Sequence, residues 1–314
     1  MGGSRYPVAM RPLLPLVVAS LLVVLAACTG TTDSPSAAPA TGAVGSPSGR
    51  PSVLPVPVSS ELAVGPNRFI FSFLDETGNR PVAAPNRSAE VAFTGPDGAA
   101  AQAEPARFVW AIEDERGVYV THVTFPSAGA WTAAFTTSAP GAPTETIEFS
   151  LDVKEDRSVV GIGEPAPSVD TPTADDVDGD LSRLSTDEDP VPAFYETSVS
   201  DALAAGEPFV LAFATPKFCT TAQCGPTLDR LKPVAASHPG VTFINVEPFE
   251  LEVVDEQLQP VLTNGQLTPV EAVGAFGLIT EPYIFVVDGD GNVRASFEAV
   301  FAVEEIEEAL EALG

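Results

Sequence analysis

Two cysteines five positions apart, Cys219 and Cys224, are the residues of this sequence best suited to chemistry. A thiol pair can exchange with disulfides, hold a soft metal or close a structural bridge. Four intervening residues are enough for the chain to turn back and let the sulfurs meet. A bridge around so short a loop removes little unfolded-state entropy and is a weak staple, which favours exchange over a purely structural role. Metal binding lacks partners. The only histidines are His122 and His238. His122 has no histidine, methionine or cysteine near it in sequence and reads as a strand residue. His238 precedes Pro239 at a helix end and is expected to face solvent. Both methionines, Met1 and Met10, lie in the N-terminal segment. No metal or other cofactor is assigned. Asp288, Asp290 and Asn292 read as a hairpin turn. Asp176-Val-Asp-Gly-Asp180 lacks the spaced glycine and closing glutamate of a calcium loop.

The 314 residues carry 31 prolines and a formal net charge of -28. Such acidity repels phosphates, and no basic patch offsets it, so nucleic acid is not an expected partner. Residues 1–28 read as an export signal. Arg5 and Arg11 precede an apolar run, Leu13 to Leu25, interrupted by Pro15, and small residues follow. The run is short for a spanning helix. Leu25-Ala-Ala-Cys28 resembles the lipobox of bacterial lipoproteins. That resemblance implies lipidation of Cys28 and attachment to the cell membrane at its extracytoplasmic face. The alternative is an ordinary secretory signal or an uncleaved anchor, with Cys28 incidental. With Cys28 acylated, Cys219 and Cys224 are left to each other in an oxidising compartment.

The elements that must position the pair follow from composition and period. Residues 29–53 are rich in Ser, Thr, Pro, Ala and Gly, and read as a disordered tether. Residues 54–155 alternate with period two. Phe69, Phe71 and Phe73 share a face, as do Phe108, Trp110 and Ile112, then Tyr119 to Phe125, Trp131 to Phe135, and Ile147 to Val153. Turn residues separate the runs, as at Gly95-Pro-Asp-Gly98. The expectation is an all-β sandwich of about seven half-buried antiparallel strands. It resembles the immunoglobulin-like accessory domains of bacterial envelope proteins. Residues 156–192 are acidic and proline-punctuated, and read as a second linker.

From 193 to 314 helical and strand signals alternate. Ser200 is positioned to cap a short helix ended by Gly206. Pro208 to Phe213 is a strand buried on both faces. A helix runs from near Pro226 to His238-Pro-Gly240. Strands follow at 241–246 and 283–287, and a turn leads into Val293, Ala295 and Phe297. Thr268-Pro-Val-Glu271 reads as a capping box. Val303, Ile306, Leu310 and Leu313 mark the last helix.

This order resembles the thioredoxin superfamily, and three motifs agree. Phe213-Ala-Thr-Pro216 is similar to the Phe-Trp-Ala-Pro before the thioredoxin active site. Cys224-Gly-Pro226-Thr227 is similar to Cys-Gly-Pro-Cys. Glu281-Pro282 stands where the family keeps a cis-proline. The resemblance covers 193–314 and implies an α/β thioredoxin-like fold. Thr227 replaces the second cysteine, and Cys219 lies upstream instead. The implied activity is thiol–disulfide exchange on exported cysteine-containing proteins or with a membrane redox partner. Cys224, at a helix start, would be the attacking or attacked sulfur and Cys219 its resolving partner. Pro282 would shape the groove, with Thr227 beside the pair as a donor. The first alternative is a catalytically inactive binding module with a structural disulfide. The second is copper delivery of the Sco type, which needs a distant histidine.

Overall fold

Period-two alternation in the first half of the chain produces eight strands in the computed structural model, which describes residues 50–313. They are β1 (Val53–Pro57), β2 (Gly65–Asp75), β3 (Ser88–Thr94), β4 (Ala100–Ala101), β5 (Arg107–Ile112), β6 (Arg116–Phe125), β7 (Gly129–Ser138) and β8 (Glu145–Val153). The apolar runs named from the sequence fall on β2, β5, β6, β7 and β8, and β1, β3 and the two-residue β4 complete the set. The export signal, Cys28 and the tether up to residue 49 lie outside the described residues. No helix among the described residues is long and apolar enough to cross a membrane.

The eight strands form two antiparallel sheets, ordered β1-β2-β6-β5 and β4-β3-β7-β8. Phe69, Phe71 and Phe73 of β2 meet Phe93, Trp131 and Phe135 of the other sheet in one core. Burial of each such ring contributes about 2–3 kcal/mol. One expectation fails on the opposite face. Half-buried strands should leave Ile70 in water, yet Ile70 is fully buried with Val109, Ala111, Val118, Val120 and the distant Val300. The second half of the chain covers this face. For the same reason Val109 and Ala111, not Phe108, Trp110 and Ile112, are the more buried set of β5. On the edge strand β8, Phe149 is exposed.

The second half is built on a four-stranded mixed sheet. Its strands are β9 (Phe209–Phe213), β10 (Thr242–Val246), β15 (Tyr283–Val287) and β16 (Val293–Glu298), once two short hairpins are counted between them. Those hairpins are β11 (Leu251–Val254) with β12 (Gln257–Pro260), and β13 (Leu262–Thr263) with β14 (Gln266–Leu267). The sheet order is β10-β9-β15-β16, with β10 parallel to β9 and the other pairs antiparallel. Four helices flank it: α1 (Val199–Ala205), α2 (Cys224–Ser237), α3 (Glu271–Ala275) and α4 (Val303–Glu311). Phe209, Leu211 and Phe213 face α1 and α3. Val210 and Ala212 face α2 and α4. Taken together the chain is mostly β-sheet, in several small sheets.

Two caps differ from expectation. Ser198, not Ser200, caps α1, accepting from the Asp201 amide at 3.1 Å. Thr268 caps nothing, because its hydroxyl pairs with Thr263 at 2.9 Å, and α3 begins at Glu271 without a side-chain cap.

Residues 156–192 are not a free linker. Val159, Ala166 and Val169 are buried in the same core as Phe209 and Phe285. The Gly163 amide donates to Val293 O and the Val293 amide to Glu164 O, at 2.8 and 2.9 Å, so the segment covers the β16 edge of the sheet. It also passes so close to the end of α3 that a Cβ on Gly277 (φ +67°) would lie 1.9 Å from Ser158 O.

Candidate functional site

The loop between β9 and α2 carries both cysteines. Cys219 and Cys224 form a disulfide, with Cα atoms 6.0 Å apart. Cys224 is the first residue of α2 and is fully buried. Cys219 is half-buried, and its sulfur accepts from the Cys224 amide at 3.2 Å. The free N–H at the helix start is therefore aimed at the more accessible sulfur, the arrangement that stabilises a thiolate there. Cys224 itself is buried, and the amide at the helix start meets Cys219 Sγ.

Three other sequence-derived residues surround the pair. Pro226 lies in the first turn of α2, half-buried. Glu281–Pro282 is cis and immediately precedes β15. Thr227 is buried one turn after Cys224, but its hydroxyl makes no hydrogen bond, so the expected donor role is not seen. Gln223 Oε1, next to Cys224, is likewise buried without a partner.

Sequence reasoning missed Glu281. Its buried carboxylate accepts from the Thr220 amide at 2.8 Å and the Thr220 hydroxyl at 2.5 Å. The Thr221 hydroxyl donates to Glu281 O at 2.9 Å. Three bonds thus tie the cysteine loop to the Pro282 segment. The only signal for this was a glutamate two residues before an apolar strand.

A second polar cluster lies at the end of β10. Glu247 Oε1 accepts from the Thr186 amide and hydroxyl at 2.6 and 2.7 Å. The Thr186 hydroxyl also accepts from the Lys217 amide at 3.3 Å, two residues before Cys219. Burial pushes the Glu247 carboxyl up to about 7, against the pull of Thr215 and Thr186. Burial likewise pushes the neighbouring Tyr195 hydroxyl up to about 12, although Ser185 and Asn245 bond to it.

His238 does not join either cluster. It sits at the far end of α2 from Cys224, roughly 20 Å along a 14-residue helix. It is not free in solvent either: its ring contacts Val234 O at 3.0 Å and Glu307 at 3.3 Å. His122 is exposed beside Glu104. Asp176 accepts from the Thr173 amide, and Asp288 accepts from the Asp290 and Asn292 amides, so both aspartate runs serve turns. No three metal-ligating side chains converge among the described residues.

No protein-family model matches the chain, and no curated protein does. Solved structures resemble it only in part. A DUF4426 family protein from Pseudomonas aeruginosa PAO1 is 15% identical with a TM-score of 0.24, over 30% of this chain and 77% of that one. The ZirS C-terminal domain is 20% identical with a TM-score of 0.21, over 41% and 87%. Neither likeness is close enough to inform fold or activity.

Proposed function

We propose that this protein is a lipid-anchored, extracytoplasmic thiol–disulfide exchange protein, with a thioredoxin-like C-terminal domain beside an immunoglobulin-like sandwich. The observation that carries the reading is the asymmetry of the pair: an accessible Cys219 sulfur held by the first amide of α2, above a buried Cys224. The sheet order, the helices on both faces and Pro282 next to the cysteine loop support the scaffold. Anchoring rests on the Leu-Ala-Ala-Cys28 signal alone.

In the reduced protein, the Cys219 thiolate attacks a substrate disulfide. A mixed disulfide forms and one substrate sulfur leaves as thiolate. Cys224, deprotonated, then attacks Cys219 Sγ. The second substrate sulfur leaves, and two electrons have passed to the substrate. The reverse sequence oxidises a substrate dithiol. Glu281 holds the loop in place and takes no part in the bond changes.

Thr227, standing where the family has its second cysteine, favours the other reading, an inert binding module with a structural bridge. Equilibration of the full chain in thiol redox buffers, with alkylation trapping, separates the two. A reversible midpoint in the native protein, between about -120 and -270 mV, is expected for exchange. Cys224→Ser should accumulate mixed disulfides through Cys219, and Cys219→Ser should form none. A bridge that reduces only after unfolding would overturn the proposal.

A further inference from the structure

Three edge strands of the sandwich are closed to further pairing, and the fourth is open. β1 carries Pro55 and Pro57, which have no N–H to give another strand. β5 has its Trp110 and Ala111 carbonyls taken by Arg230. β4 is two residues long. β8 has nine residues, no proline, and β7 as its neighbour on one side only. The Lys154 amide donates to Leu62 O and its carbonyl accepts from the Val64 amide, at 2.8 and 3.0 Å, so these groups point away from β7. Alternation along the strand turns the N–H and C=O of Thr146, Glu148, Ser150 and Asp152 the same way. Among the described residues no other backbone segment bonds to them.

Phe149 marks the same gap from the side chains. It stands opposite Ala133, while Ile147 and Leu151 on either side of it stand opposite Phe135 and Trp131. Opposed residues share a face, so Phe149 belongs to the face of β8 that looks into the core. Ala133, Phe135 and Trp131 are buried, yet Phe149 is 41% exposed. A further strand beside β8 would cover it.

The sequence of β8 is complementary to itself. Laid antiparallel on a second β8 with the two-fold axis at Phe149, the two Phe149 rings meet. Ile147 meets the partner's Leu151, Glu148 the partner's Ser150 and Thr146 the partner's Asp152. Each outward-pointing residue then exchanges both backbone hydrogen bonds with the one opposite. No two carboxylates stand directly opposite. An axis at Glu148 would set two glutamates face to face, and an axis at Ser150 would set Glu148 against Asp152. A slip by one residue would send the core-facing side chains of one copy to the outer face of the other.

We propose that two copies of this chain associate through β8, antiparallel about Phe149, so that one sheet runs through both. The paired area is small, so the dimer is weak and forms with concentration. Glu148 stands diagonally across from the partner's Glu148 and Asp152, so salt tightens the dimer by screening them. The proposal does not depend on the redox reading of the cysteine pair.

The test is sedimentation velocity of the full chain from about 5 to about 500 µM, which is expected to move from one chain to two. Raising NaCl from about 0.05 to about 0.5 M should tighten the association at least about two-fold. Phe149→Asp, at an exposed position, should keep the unfolding midpoint and weaken association at least about ten-fold. Glu148→Lys, which sets a cation diagonally across from the partner's Asp152, should tighten it about five-fold. A single chain across the whole range, association that survives Phe149→Asp or weakens with salt, or a Glu148→Lys variant that associates no more tightly than wild type would each overturn the proposal.

Discussion

Two buried glutamates sit in opposite circumstances. Glu305, on α4, gives one oxygen to Arg68 Nε at 2.9 Å and the other to Arg68 Nη2 at 2.8 Å. Its Oε2 also accepts from the Ala302 amide at 2.8 Å, and Arg107 lies 3.6 Å away. Glu247, at the end of β10, has one oxygen bonded and one bare. Their titration reflects this. Burial would raise both. For Glu305 the Arg68 hydrogen bonds and charge outweigh it and hold the carboxyl below its ordinary range. For Glu247 burial wins. The first glutamate belongs to the seam where the sandwich meets the second half of the chain. There Arg230 also donates to Trp110 O and Ala111 O, and Ser60 to Glu298. Of the six buried polar atoms without partners among the described residues, the seam holds only the spare Nη1 of Arg68 and of Arg230. The other four lie beside Cys224 or at the end of β10. Polar groups at the seam are matched because they hold the molecule together. Those beside Cys224 and at the end of β10 are left without partners.

The largest expected effect comes from breaking the matched side. Arg68→Ala leaves Glu305 buried with only the Ala302 amide and the half-exposed Arg107 at 3.6 Å. The expected loss is about 3–4 kcal/mol in urea unfolding. Arg68→Met with Glu305→Leu should recover most of it, because no bare charge remains. A loss below about 1 kcal/mol for Arg68→Ala would mean that the seam is not energetically coupled to the fold.

The unmatched side is read through pH. The Glu247 carboxyl titrates near 7 when folded, against an ordinary value of 4.5. Between those values the folded protein keeps a proton that the unfolded chain has released. The contribution to stability is therefore fully present below about pH 4.5 and lost as pH rises through 7. Its size is on the order of 3 kcal/mol. Glu247→Gln keeps the bonds from Thr186 and has no proton to lose. The stability of wild type minus variant should fall by that amount between pH 4.5 and 8. Parallel curves for the two proteins would show that Glu247 is charged in the folded state across the whole range.

What the sequence revealed follows the same division. Strands β9 and β15 were legible because Phe209–Phe213 and Tyr283–Val287 are unbroken apolar runs, which only a doubly covered strand needs. The helix start at Cys224 was legible from Cys-Gly-Pro-Thr. Segment 156–192 was misread because its aspartates and prolines signal solvation, while Val159, Ala166 and Val169 dock without any period. Arg68 and Glu305 are 237 residues apart, and nothing local marks them as partners. Asn245 and Glu247 read as polar residues ending a strand. Their burial depends on a segment more than fifty residues upstream folding back over them.

The smallest expected effect tests whether an open group near the pair is idle or waiting. Thr227 and Cys224 are neighbours at i and i+3 on α2, yet the Thr227 hydroxyl is buried and unbonded while the disulfide is closed. Thr227→Val keeps the shape and removes that hydroxyl. In the oxidised protein stability should change by less than about 1 kcal/mol, in the stabilising direction, since no hydrogen bond is lost. In the reduced protein the hydroxyl can turn toward the freed Cys224 sulfur. Its removal should then make the disulfide harder to reduce, by about 1.4 kcal/mol or ~30 mV. An unchanged potential would mark Thr227 as a packing residue only. A loss of more than about 2 kcal/mol in the oxidised form would mean that its hydroxyl is bonded after all, through a buried water.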